Sequence, residues 1–198
     1  MINLTINKKV YKVPSKLSEI TLKQFQALKE ESDNNVESFS KFANIPLKEL
    51  NKCPQDEVLF FISQVFDLIQ KIDMEDINNE DPKPFKVGTT KYYPRASVDK
   101  ENMGLYIGCS SYMERLTGQE YLFYPYMMAF YCPRKGEEDM EDQEEIEKRA
   151  EVMRGANVID ALRVNAFFLN NSKNYERAFQ QYFQEELTQT NQQQDTKN

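Results

Sequence analysis

The stretch Phe85-Lys-Val-Gly-Thr-Thr-Lys-Tyr-Tyr-Pro94 alternates apolar and polar residues on either side of a glycine turn and stops at a proline. A period of two puts one set of side chains on a single face. The stretch therefore reads as a β-hairpin, with strands Phe85–Val87 and Lys91–Tyr93 around Gly88-Thr89-Thr90. Pro94 closes it because proline has no amide hydrogen to give to a ladder. The start of the chain follows the same pattern: Ile2-Asn-Leu-Thr-Ile6 and Val10-Tyr-Lys-Val13 alternate around Asn7-Lys8-Lys9, and Pro14 ends the pair.

An offset of 81 places Tyr11 on Tyr92, Leu22 on Met103 and Phe25 on Tyr106, with Pro14 close to Pro94. The order of elements then continues in parallel. Each half has an aromatic-rich helix ending in proline (Phe39 to Pro46; Tyr124 to Pro133), a polar insertion and a long apolar helix (Val58 to Ile72; Val158 to Leu169). Self-similarity over about 80 residues implies an internal repeat. The fold expected is α+β, mainly α, built from two tandem hairpin-plus-helices units packed together. Residues 1–80 form the first unit and 85–187 the second, with 188–198 as a disordered tail of Gln, Asn and Thr that has nothing to bury.

Outward from the hairpins the sequence punctuates its helices. Thr21-Leu-Lys-Gln24 has capping-box spacing, with Ile20 and Phe25 placed as a hydrophobic staple, which predicts a helix from Leu22 to about Glu31. Val36, Phe39, Phe42 and Ala43 keep helical spacing until Pro46 disfavours it near Ile45. Pro54 suits a first turn, and Val58, Phe61, Ile62, Val65, Phe66, Ile69 and Ile72 draw one apolar stripe behind it. Asp73 to Lys83 reads as a linker. A helix is predicted from about Asn102 to Leu116, closed by Thr117-Gly118. Tyr121 to Cys132 is apolar around nearly its whole circumference, so as a helix it is buried on several sides. Ile146, Ala150, Val152 and Met153 mark another helix.

Composition narrows the chemistry. The 198 residues carry 25 basic and 32 acidic side chains, a net charge of −7, which opposes long-range attraction to nucleic acid or anionic lipid. No stretch approaches the roughly 20 apolar residues of a membrane span, and the N-terminus lacks the pattern of a signal peptide, so a cytoplasmic location is expected. Histidine is absent, which removes the commonest general base and transition-metal ligand together. The six glycines form no phosphate-cradling loop, and Gly104-x-x-x-Gly108 reads as local backbone packing. Cys53, Cys109 and Cys132 are widely spaced in apolar surroundings and read as reduced structural thiols. Residues 137–147 hold eight carboxylates in eleven positions but lack the turn glycine and spacing of a calcium loop, and read as a solvated charged loop. No catalytic residue, cofactor or metal site is expected. Tyr175, Phe179, Tyr182 and Phe183 have helical spacing beside the tail and read either as a partner-binding helix or as a helix packed on its own core.

Four segments, Tyr92-Tyr-Pro94, Met103-Gly-Leu-Tyr-Ile107, Tyr126-Met-Met-Ala-Phe-Tyr-Cys-Pro-Arg134 and Ala161-Leu-Arg-Val-Asn-Ala-Phe-Phe168, together resemble small proteins from the structural modules of tailed bacteriophages. Those proteins are described as tail or baseplate assembly chaperones. Their pattern joins a hairpin, a capped helix, an apolar helix ending in a Tyr-Arg-Pro-like motif and a final helix closing on Phe-Phe. Here Cys132 stands where that pattern has arginine, Tyr131 and Pro133 keep their places, and Arg134 follows one step late. The resemblance covers the second half and reaches the first only through its hairpin and helix starts. It implies a non-enzymatic, protein-binding factor in virion assembly, with Tyr131, Pro133 and Arg134 as partner-binding residues. The partners it implies are viral structural proteins rather than nucleic acid or membrane, met in the host cytoplasm. A structural subunit kept in the mature virion is the alternative, and an enzyme the third reading.

Overall fold

The computed structural model describes residues 1–30, 34–72, 77, 80–96, 103–116, 119–137 and 142–171. It is an α+β fold, mainly helical, with two separate two-stranded antiparallel sheets. β1 (Ile2–Ile6) and β2 (Lys9–Val13) pair with Ile6 opposite Lys9 and Leu4 opposite Tyr11. Both turn residues, Asn7 and Lys8, have positive φ, as the tight turn that matches strand twist requires. β3 (Phe85–Val87) and β4 (Thr90–Tyr92) pair with Val87 opposite Thr90 and Phe85 opposite Tyr92. Only Gly88 turns left-handed there, so Thr90 belongs to the strand and not to the turn.

Among the described residues the α-helices of more than one residue are α1 (Leu22–Lys29), α2 (Asn35–Ala43), α3 (Leu47–Leu50), α4 (Gln55–Gln70), α5 (Met103–Arg115), α6 (Glu120–Tyr131), α7 (Gln143–Met153) and α8, residues 158–171. The offset of 81 recurs in three dimensions: it carries the first hairpin's turn, its Leu4–Tyr11 pair and the start of α1 onto the second hairpin's turn, the Phe85–Tyr92 pair and the start of α5. The side chain of Tyr106, matched to Phe25, lies outside the described residues, as do Thr117-Gly118 and the tail.

Several boundaries differ from the sequence reading for local reasons. Asn44 takes the left-handed conformation and ends α2 before Pro46 has to. Pro54 stands at the N-cap of α4 rather than inside its first turn. The helix predicted to end at Leu169 runs on through residue 171. Ile77, in the expected linker, is buried, and Glu80 pairs with Arg163 of α8 at 2.9 Å. The acidic run is only partly a loop. Asp142 caps α7 by accepting the Glu145 amide at 3.0 Å, and the carboxylates of the first turn face the positive end of the helix. Val152 is exposed, while Ile146, Ala150 and Met153 form the buried face of α7.

One apolar cluster draws on both halves. α6 runs through it, burying every residue from Met127 to Tyr131. Tyr131 stacks on Phe168 of α8 at 4.2 Å, and Tyr112 of α5 stacks on Tyr126 at 4.5 Å. Gly108 lets α5 approach: a Cβ there would stand 3.1 Å from the Phe130 ring.

The halves also exchange backbone hydrogen bonds. A helix start leaves amides without partners. At α1, Gln24 N donates to the Thr21 hydroxyl at 3.3 Å, and the Gln24 side chain accepts from Thr21 N at 3.0 Å, the predicted capping box. The two remaining amides, Leu22 N and Lys23 N, donate to the carbonyls of Ala156 and Arg154, each at 2.8 Å. In return Val158 N donates to Ile20 O at 2.9 Å, and the Asn157 side-chain amide reaches the carbonyls of Leu17 and Ile20. A second gap lies in α6, where Pro125 has no amide for the carbonyl of Tyr121. The buried Gln26 of α1 supplies the donor from its side chain at 2.8 Å.

This predicts an energetic coupling. Gln26→Leu leaves the partly buried Tyr121 carbonyl without its donor and should lower unfolding free energy by about 1–2 kcal/mol in urea titrations. Adding Pro125→Ala restores an amide to the helix ladder and should recover part of that loss. Strict additivity of the two changes would mean that Gln26 does not serve this carbonyl.

Candidate functional site

The residues that the resemblance offered to a partner turn out to brace a hairpin. Tyr131 is 1% exposed, so its ring is core and not surface. Beyond it the chain runs extended beside the end of β4: Arg95 N donates to Tyr131 O and Tyr93 N to Pro133 O, both at 3.0 Å, and Arg134 bridges to Tyr92. Two of the sequence segments quoted above, Tyr92-Tyr-Pro94 and the one ending in Cys-Pro-Arg134, therefore pair with each other. Cys132 is fully buried, and burial pushes its thiol far up, so it stays protonated. Tyr175, Phe179, Tyr182 and Phe183 lie outside the described residues.

Arg134 is exposed and forks onto Glu137, donating at 2.6 and 3.0 Å. Glu137 also takes the Arg134 amide at 2.8 Å and pairs with the largely buried Arg149 of α7. Burial alone would raise the Glu137 carboxyl, but the hydrogen bonds from Arg134 and Arg149 outweigh it and hold the group at about 2, below its ordinary 4.5. The triad ties the turn after Arg134 to α7.

A cleft of about 480 Å³ lies on the seam between the halves, lined by Lys23, Gln26, Lys41, Asn44, Leu122 and Arg154 among others. Its charges are balanced in place. Lys41 pairs with Glu30 at 2.9 Å, while Lys23 and Arg154 share Glu151 at 3.8 and 3.3 Å. The Gln24 and Gln26 amides are spent on the carbonyls of Phe42 and Tyr121. Among the described residues no three His, Cys, Asp or Glu side chains stand together as metal ligands, and no helix is long and apolar enough to cross a membrane.

α4 leaves part of its apolar surface uncovered. Asp56 and Glu57 sit in its first turn, where carboxylates favour a helix start, and Val58, Ile62 and Val65 bury themselves against the core. The other apolar residues are too many for one buried stripe. Phe61, Phe66, Leu68 and Ile69 are half-buried, while Leu59 and Phe60 remain 48% and 59% exposed. The Phe60 ring leans edge-on against Phe61 at 5.7 Å. Covering Leu59 and Phe60 would contribute roughly 1–2 kcal/mol each. The sequence predicts a single apolar face for this helix; Leu59 lies at the edge of that stripe and Phe60 on the opposite side, an apolar pair where a polar face belongs. No family model, curated protein or solved structure matches the chain.

A pH prediction follows from the Glu137 triad. The folded carboxyl lies below its unfolded value, so its stabilisation is present above about pH 4.5 and is lost as pH falls toward 2. Urea titrations across that window should show the wild type losing stability more steeply than Glu137→Gln. Equal slopes would contradict the pairing.

Proposed function

We propose that this chain is a non-enzymatic protein-binding factor in the assembly of a tailed-phage particle, a chaperone or accessory protein of the tail or neck, and that α4 carries its docking surface. The observation behind the reading is the exposure of Leu59 and Phe60 on a helix whose opposite face is already anchored in the core. An apolar pair held on a rigid helix is the kind of feature that protein partners use as an anchor. The resemblance of the second half to phage assembly proteins supplies the biological setting. We place docking on α4 in preference to Tyr131, Pro133 and Arg134, because the Tyr131 ring is core, the backbone of that segment pairs along β4 and the Arg134 guanidinium is held by Glu137.

The reading is tested with a photo-crosslinking residue at position 60 in phage-producing cells. The adduct should contain a virion structural protein, identified by mass spectrometry. The double variant Leu59→Ser with Phe60→Ser should keep its helical circular dichroism and capture that protein at least about tenfold less well, as the loss of two apolar anchors implies. Undiminished capture by the double variant, or adducts with host proteins alone, would contradict it.

A further inference from the structure

We infer that the partner segment is a basic amphipathic helix, one that lays an apolar stripe on Leu59 and Phe60 and sets Lys or Arg beside the carboxylates around them. This rests on the docking role of α4 proposed above and adds the chemistry of what docks. Asp56, Phe60 and Asp67 are spaced by four and seven residues, so they share one side of the helix, with an acid one turn before the aromatic and another two turns after it. Glu57 adds a third carboxylate to the first turn. Gln55–Gln70 contains no Lys or Arg. Among the described residues none of the three carboxylates is ion-paired, although surface acids elsewhere on the chain commonly are, such as Glu30, Glu137 and Glu144. The nearest basic residues do not pair with these acids. Lys52 is engaged by Glu49 at 3.7 Å, and Lys71, the C-cap of α4 one turn after Asp67, makes no ion pair with it.

The charge pattern selects among occupants. A second copy would set the same carboxylates against one another in a chain already at −7. An anionic bilayer would be repelled by them. A basic helix gains on both counts: apolar contact supplies affinity, and complementary charge supplies orientation and rate of encounter.

The test titrates the full chain with a labelled synthetic peptide of about 18 residues, an amphipathic helix with leucines at three- and four-residue spacing and lysines on its flanks. The same peptide with glutamates for lysines is the control. Fluorescence anisotropy should show the lysine peptide binding at least about tenfold more tightly at about 50 mM salt, with the preference shrinking near 500 mM. The triple variant Asp56→Asn, Glu57→Gln, Asp67→Asn should lose the preference but keep weak binding of both peptides, and Phe60→Ser should weaken both. Equal affinities for the two peptides, with dependence on Phe60 intact, would overturn the charge inference and leave the docking role standing. Binding unaffected by Phe60→Ser, or no binding of either peptide, would overturn both. Concentration-dependent dimerisation through α4 in sedimentation, or attachment to phosphatidylglycerol vesicles in place of the peptide, would also overturn it.

Discussion

A buried backbone polar group must find a partner, and in this chain the two halves find theirs in each other. The start of α1 and the proline of α6 both leave groups that their own helices do not satisfy. Ala156 and Arg154 take the amides of Leu22 and Lys23, and Gln26 serves the carbonyl that Pro125 leaves open. These bonds are directional. They fix α1 against the turn before α8 and, through Gln26, against α6, and the apolar cluster packs around that arrangement.

That arrangement also decides which surfaces are left over. The ring of Tyr131 packs on Phe168, and the backbone from Tyr131 to Arg134 pairs along the end of β4, so that segment holds a hairpin. The seam cleft closes its own charges. α4 differs because it carries more apolar residues than one core-facing stripe can hide, and its charged residues all have one sign. That leaves apolar side chains of α4 on the surface.

Much of this was legible in the sequence because the signals were local. The alternation around Asn7-Lys8 and Gly88-Thr89, the Thr21–Gln24 capping box and the apolar run of α6 each specify their own geometry within a few residues. What escaped depends on distant partners. Gln26 reads as one more polar residue on α1 until Pro125, about a hundred positions away, is brought beside it. Glu137 reads as one carboxylate of an acidic run until Arg149 closes on it. Exposure, unlike a local motif, is settled by packing. The exposure of Leu59 and Phe60 is invisible in a sequence whose neighbouring apolar stripe already accounts for the helix.

The claim that the exchanged backbone bonds make the halves one cooperative body is tested most directly by native-state hydrogen exchange in rising denaturant. The amides of Leu22, Lys23 and Val158 should exchange with the slowest class, with the same free energy and denaturant dependence as the α6 amides from Met128 to Tyr131. If those three exchanged through a separate opening of lower energy and shallow denaturant dependence, with the α6 amides still protected, the halves would part before either unfolds and the account would be wrong.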